Sequence, residues 1–292
     1  MKKTHHLIIV MFIYLTALAI GVIAYRQTPL ESIILRLLVA DVIATTWVFG
    51  FSTAFRNSSM YDPYWSVAPL ALVWPFIDLT ALSLTHVLVL VALVVWGVRL
   101  TVNWIHTFSG FDHQDWRYDH YKHKSGGWWP VVNYVGIHMM PTLVVFSAML
   151  PVFLMLQASG SAGLLTVLAT VLALGCVTVQ FISDAQMHRH RRERPGQVLD
   201  RGLWKWSRHP NYFGEVAFWF MLYAMMLSVT GLGTEWIAGI GPFVNLVLFL
   251  VISIPLMETR QLKRRPAYAE YMQRTSALVP VPPSLIRMKR EA

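Results

Sequence analysis

The apolar residues of this chain come in long unbroken runs and not at the spacing of a one-sided helix. Leu7 to Tyr25 reads LIIVMFIYLTALAIGVIAY and Leu164 to Ile182 reads LLTVLATVLALGCVTVQFI, neither carrying a charge. At about 1.5 Å rise per residue, roughly 20 such residues cross a hydrocarbon core about 30 Å thick. The runs predict helical spans near residues 7–25, 33–55, 66–82, 84–105, 131–157, 161–183, 212–231 and 236–256. Pro69, Pro75 and Asp78 interrupt the third, so a re-entrant or broken segment, with seven spans in place of eight, is the alternative there. The expected fold is an all-α polytopic transmembrane helix bundle of about seven or eight spans, forming one membrane domain over residues 1–292.

Composition supports the pattern. The chain is 55% hydrophobic and 13% charged, against about 25% charged in a soluble domain. A water-soluble protein with several fully buried helices would need far more polar surface. The apolar stretch after Lys2-Lys3 is long for a signal peptide, and no small-x-small site precedes Arg26, so a retained first helix is expected. The one cysteine, Cys176, lies within an apolar run, which excludes an intrachain disulfide and a cysteine-based metal site and leaves it as a packing residue.

Charge sets the expected orientation. Basic residues gather at Lys2-Lys3, in 106–130, in 184–208 and after Glu258, while the loops near 26–32, 158–162 and 231–235 hold only Arg26. With eight spans all the basic segments share one side, which the positive-inside rule makes cytoplasmic for both termini. The net charge of +9 is thereby explained by topology and by anionic headgroups of the membrane lipids, and calls for no nucleic acid.

The chemistry-bearing residues concentrate in the second half. The run Leu199 to Glu215, LDRGLWKWSRHPNYFGE, is too polar for a mere turn. Pro210 suits the first turn of a helix, so the free amides of Asn211, Tyr212 and Phe213 would present partial positive charge to a phosphate beside Arg208 and His209. Asn211 and Glu215 are four apart and share a face. An acidic group entering an apolar span is costly and calls for a partner or a task. The bland alternative is an interfacial basic loop anchored by Trp204 and Trp206.

Gln180, Asp184, His188 and Arg191 fall on one helical stripe that leaves the sixth span for the basic loop. It reads either as a polar wall leading a cofactor into the bundle or as Asp184 paired with a nearby arginine. His188 and His190 sit among charges, as on a solvated basic face, and no metal site is expected. Asp41 and Arg36, in the second span, suggest a structural ion pair. Arg99 and Asn103, four apart near a span end, suggest snorkelling. Tyr61-Asp62-Pro63-Tyr64-Trp65-Ser66 offers a carboxyl and two phenols, as a proton donor or as an interfacial belt. Asp112 to Trp129 has the length and polarity of a lid or binding loop. Arg260, Lys263 and Arg264 add anchoring charge or phosphate contacts in the tail.

The run Gly202-Leu203-Trp204 through Arg208-His209-Pro210-Asn211-Tyr212-Phe213-Gly214-Glu215, with Gln180 and Asp184 before it and Tyr271 and Ala277-Leu278-Val279-Pro280 after it, resembles the C-terminal domain of steroid 5-alpha-reductase-like membrane proteins. The resemblance runs from about 175 to 282, the part expected to hold a cofactor. It thins toward the N-terminus, where Asp62-Pro63-Tyr64-Trp65-Ser66-Val67-Ala68-Pro69 and Arg99 carry it. It implies a membrane enzyme that binds NADPH and transfers hydride to a carbon–carbon double bond of a lipophilic small-molecule substrate. It implies a cofactor site lined by Gln180, Asp184, Arg191, Trp206, Asn211, Glu215, Arg260 and Arg264. Arg208, His209 and Tyr212 join them from the helix N-terminus. Where some members carry a glutamine-glutamate pair this chain has Tyr61-Asp62, and where they carry a tyrosine it has Trp96. Tyr61 and Asp62 are therefore the expected proton donors, with the steroid enone itself less well matched than the cofactor. The Arg-His-Pro-Asn-Tyr-x-Gly run is also similar to one in S-adenosylmethionine-dependent membrane methyltransferases, which is the alternative.

Overall fold

The computed structural model describes residues 2–285, and among these the regular secondary structure is helical, with no β-sheet. The chain packs as two compact units, Met1–Gln157 and Ala158–Ala292. Seven helical stretches among the described residues are long and apolar enough to cross a bilayer. That bears out a polytopic all-α membrane protein. The last basic residues of the tail, within 286–292, lie outside the described residues.

The N-terminal unit contains α1 (Lys2–Gln27), α2 (Ile33–Ala54), α3 (Tyr64–Leu72), α4 (Leu84–Thr107), α5 (Trp116–Ser125), α6 (Trp129–Val131), α7 (Met140–Ala148) and α8 (Leu150–Gln157). A π-helix, Val132–Met139, joins α6 to α7, so residues 129–157 follow one another almost without a break. Ser32 caps α2 and Ser83 caps α4, each side chain accepting from an amide of the first turn. The outer face of α1, with Ile8, Met11, Phe12, Leu15 and Ile23, is exposed, as expected of a helix whose solvent is lipid.

The predicted third span is not a full helix. Its place is taken by the nine-residue α3 and a 3-10 turn at Trp74–Phe76, with Pro69 inside the helix and Pro75 in the turn. The segment nevertheless passes from one end of the unit toward the other. Tyr64 stands edge-on to Tyr14 (5.8 Å) and Trp74 edge-on to Tyr25 (5.2 Å), so it runs alongside α1. Eleven residues of α1 rise about 17 Å, roughly half a hydrocarbon core. At the level of the α4 end, Asn57 Nδ2 donates to the carbonyls of Phe111 (2.9 Å) and His113 (3.0 Å). Ser58–Met60 form a 3-10 turn there, and Asn57 through Tyr61 are all buried. Lys3 Nζ donates to the His106 carbonyl (3.4 Å) and the Phe111 amide to His6 Nδ1 (3.1 Å). Two of the basic segments thus meet at one end of the unit, as an even number of passes between them requires.

The C-terminal unit contains α9 (Leu164–Glu193), α10 (Pro210–Thr230), α11 (Ile240–Leu248), α12 (Ile254–Arg264) and α13 (Tyr268–Arg274), with a π-helix at Phe249–Ser253 between α11 and α12. α9 and α10 are antiparallel neighbours. Thr166 Oγ1 meets Ser228 Oγ (2.8 Å), Thr170 Oγ1 meets Met225 Sδ (3.7 Å), and Asn211 meets Asp184 at the far end. The pairs advance along α9 as they retreat along α10.

Candidate functional site

α10 starts at Pro210 with His209 as its cap residue, as the sequence predicts. The turn before it is held from several sides. The Leu203 amide donates to Gln186 Oε1 (3.0 Å), and the Trp204 indole donates to the Ser183 carbonyl (3.1 Å). Tyr271 Oη donates to the Trp204 carbonyl, and burial pushes that phenol well above its usual range. A one-residue parallel bridge pairs Ser207 with Ser276, so the segment after α13 closes against the turn. Gly202, at φ 62, takes a left-handed conformation, and a Cβ there would lie 2.5 Å from Gln186 Nε2.

Within this frame the predicted residues separate into two groups. Asn211 Nδ2 donates to Asp184 Oδ1 (3.2 Å), which joins α9 to the first turn of α10. The side-chain oxygen of Asn211 is buried and accepts no hydrogen bond from the protein. Gly214 brings the two backbones together: a Cβ there would stand 2.6 Å from Gln180 Cγ and 2.7 Å from the Cys176 carbonyl. Gln180 is buried on the same face of α9 as Asp184. Glu215 is buried one turn further along α10, where its carboxylate accepts from the Trp219 indole (2.9 Å). Gln180, Asp184, Asn211 and Glu215 are therefore gathered along the α9–α10 seam.

Arg208 and His209 face elsewhere. Arg208 Nε donates to Glu258 Oε1 (2.6 Å), and its Nη1 donates to the carbonyls of Met272 (3.0 Å) and Thr275 (2.5 Å). His209 Nε2 lies 3.2 Å from the same Glu258 oxygen. These two residues tie α10 to α12 and to the C-terminal segment. Tyr212 stacks on His209 (5.1 Å) and abuts Phe249 (4.7 Å). Trp206 is substantially exposed, while its carbonyl accepts from the Val281 amide (3.0 Å).

Arg191 and Arg264 are exposed, and Arg260 is partly so. Sequence reasoning missed Arg265. Its Nε donates to the Gly196 carbonyl (2.9 Å) and its Nη1 to Gln261 Oε1 (2.7 Å). Burial, then the charges of Arg191 and Arg264, hold its pKa below the usual arginine range. The three arginines therefore lie close enough to repel one another. The signal was present as the run Lys263-Arg264-Arg265, but helix spacing alone does not say which member turns inward.

In the N-terminal unit the two expected proton donors are both engaged by other protein side chains. Tyr61 is buried, with Oη on Thr142 Oγ1 (2.7 Å) and its ring stacked on Tyr64 (5.4 Å). Thr142 also meets Thr45 (2.9 Å), and nearby His138 Nε2 meets Ser52 Oγ (3.0 Å). Asp62 accepts from Tyr118 Oη and lies 4.0 Å from Arg117. Burial raises the Asp62 carboxyl to about 6, against the opposing effects of Arg117 and the Tyr118 hydrogen bond. The segment 112–129 is thus partly fixed in place: Asp115 caps α5, and its amide donates to Ser59 Oγ (2.8 Å). The suggested Asp41–Arg36 ion pair is not made. Arg36 Nε donates to the Tyr25 carbonyl (3.1 Å), with its guanidinium over that ring, and Asp41 is bonded to Tyr64. Asp41 follows Arg36 by five positions on α2, which turns the two side chains to different faces, and the Tyr64 phenol of α3 lies within reach instead.

A family described as proteins of unknown function, DUF1295, matches residues 47–275 of this chain. An uncharacterized protein of Schizosaccharomyces pombe is similar at 23% identity over 277 residues, covering 83% of this chain and 78% of the yeast protein. No solved structure matches.

Proposed function

Because the chain belongs to the DUF1295 family, which carries no assigned chemistry, we propose from its own residues that it is an NADPH-dependent membrane reductase acting on a double bond of a lipophilic substrate. The observation that carries this reading is Asn211. Its amide nitrogen is anchored on Asp184, and its oxygen is buried at a helix N-terminus without a protein donor. A buried acceptor left unpaired costs roughly 1–3 kcal/mol. A carboxamide N–H or a ribose hydroxyl would satisfy it, and a nicotinamide dinucleotide offers both. The nearby basic cluster of Arg191, Arg264 and Arg265 suits the phosphates of the same molecule, and Arg260 stands on the same helix.

Bound there, the cofactor would supply the hydride. The protein's part is to orient it. Asp184 and Asn211 fix one polar edge, Gly214 lets the two helices close behind it, and the apolar flanks of α9 and α10 keep water away. The resemblance to steroid 5-alpha-reductase-like proteins, carried by Gln180, Asp184, Asn211 and Glu215, supports the same reading. With the basic ends cytoplasmic, a soluble dinucleotide reaches this site directly.

Titration of the purified protein with NADPH and, separately, with S-adenosylmethionine tests the assignment. NADPH is expected to bind. Asn211→Ala is expected to weaken it by about tenfold, the loss of one or two hydrogen bonds, with little change in thermal midpoint. Binding of S-adenosylmethionine alone would transfer the site to the methyltransferase reading.

A further inference from the structure

The first turns of α1 are fastened to the chain leaving α4 through a ring nitrogen. The Phe111 amide donates to His6 Nδ1 at 3.1 Å, and the two rings stack at 4.4 Å with 20° between their planes. The nitrogen is the acceptor, so this bond exists only for the uncharged imidazole that carries its proton on Nε2. Gly110 makes room for the ring. Its φ is 101°, and a Cβ there would stand 2.7 Å from His6 Nδ1.

Phe111 begins a series of such ties. Its carbonyl and that of His113 accept from Asn57 Nδ2 (2.9 and 3.0 Å). Gln114 Oε1 accepts from the Ser58 amide (2.8 Å), the Asp115 amide donates to Ser59 Oγ (2.8 Å), and Tyr118 Oη donates to Asp62. Residues 109–116 therefore lie as a strap against the turn 57–62. Apart from Phe111, which packs on Phe55 (5.1 Å) and Phe108 (6.0 Å), the strap is held by polar contacts, and Asp112 and His113 are exposed. A surface segment of that kind opens at far lower cost than the bundle beneath it.

A proton on His6 turns the acceptor into a second donor. Rotating the ring gives no relief, because the imidazolium has an N–H at both nitrogens and nothing to accept with. The Phe111 amide then loses its partner and faces a like dipole. Histidine is the side chain whose ordinary titration falls between about pH 5 and 8. We propose that residues 109–116 are a strap that uncharged His6 holds closed against the turn carrying Asp62, and that protonation of His6 loosens it. The device lies within the N-terminal unit and stands whether or not the protein binds NADPH.

The other charged and titratable side chains described on the elements that meet here are Lys3 and His5 on α1, Arg56 after α2, His106 at the end of α4, and Asp112 and His113 in the strap, all exposed. Lys3 Nζ is turned to the His106 carbonyl (3.4 Å). Asp62, raised to about 6 by burial, titrates over the same range beside Tyr118.

Amide hydrogen exchange read by mass spectrometry measures opening of the strap. The full chain in phosphatidylcholine nanodiscs is labelled at pH 7.5 and pH 5.5, with labelling times scaled for the intrinsic pH dependence of exchange. Wild-type peptides covering 109–116 are expected to exchange roughly tenfold faster at pH 5.5, the effect of one lost hydrogen bond, while peptides from α2 do not change. His6→Asn puts an amide oxygen, an acceptor that does not titrate, near the place of Nδ1 and should make exchange equal at the two pH values. His6→Ala should exchange fast at both. The combined change His5→Asn, His106→Asn and His113→Asn, and separately Asp62→Asn, should leave the pH response in place. Wild-type exchange that is the same at both pH values would overturn the proposal. So would a pH response that persists in His6→Asn, or one that vanishes in the triple histidine variant or in Asp62→Asn. The wild-type and His6→Asn readings decide the matter even if His6→Ala fails to fold.

Discussion

The two units bury polar groups in different ways. In the N-terminal unit the buried polarity is mostly neutral: Thr45, Thr142 and Tyr61 form one hydroxyl chain, while Ser52 and His138 pair beside it. In the C-terminal unit it is ionic and crowded toward one end, where Arg208, His209 and Glu258 share a carboxylate and Asn211 and Asp184 join two helices. The difference teaches which interactions each environment permits. Hydroxyls can be satisfied pairwise deep in an apolar bundle at modest cost. Full charges need partners and are placed where spans end.

That contrast can be broken at four points. Glu258→Ala should have the largest effect. It strands Arg208, whose side chain is only 10% exposed, beside His209. Removing one partner of a buried pair costs about 3–5 kcal/mol, and the thermal midpoint in detergent should fall accordingly. Thr142→Val should cost less, about 1–3 kcal/mol, because it deprives the Tyr61 and Thr45 hydroxyls of one neutral partner. A loss as large as that of Glu258→Ala would show that the neutral network is not the cheaper one.

Asp62, which accepts from the Tyr118 hydroxyl, offers a pH test. Its folded-state value, about 6, lies above the ordinary 3.8, so between those limits the native protein keeps a proton that the unfolded chain has released. Stability is therefore lost as pH rises from about 4 to about 6 and is level above that. The side chain keeps 18% of its surface exposed, so the effect should be smaller than a fully buried acid would give. Asp62→Asn should flatten the difference in thermal midpoint between pH 4 and pH 7, and an unchanged slope would remove Asp62 as its source. The smallest effect belongs to Arg189→Ala. Its bond to Glu193 (2.7 Å) joins two largely exposed side chains at the end of α9, and no shift in midpoint is expected.

Much of the architecture was legible in the order of residues. Long uncharged runs have one low-energy solution in lipid, because every backbone group must find its partner within the same helix. The helix start at Pro210 followed from the missing amide of proline, and the α9 stripe followed from helical period. The broken third pass was foreshadowed by Pro69, Pro75 and Asp78. That residues 57–61 would be buried ahead of it was not, since this depends on contacts with Phe111, His113 and Asp115, far along the chain.

Local sequence determined the helices, their ends and which side chains share a face, because those are set by backbone hydrogen bonding and hydrophobic period. Only tertiary structure decided that Asp41 pairs with Tyr64 and not with Arg36, that Arg208 faces Glu258 and not the α9–α10 seam, and that Arg265 joins Arg191 and Arg264. A buried charge takes whichever partner packing brings within about 3 Å, and that distance is a property of assembled helices, not of spacing along the chain.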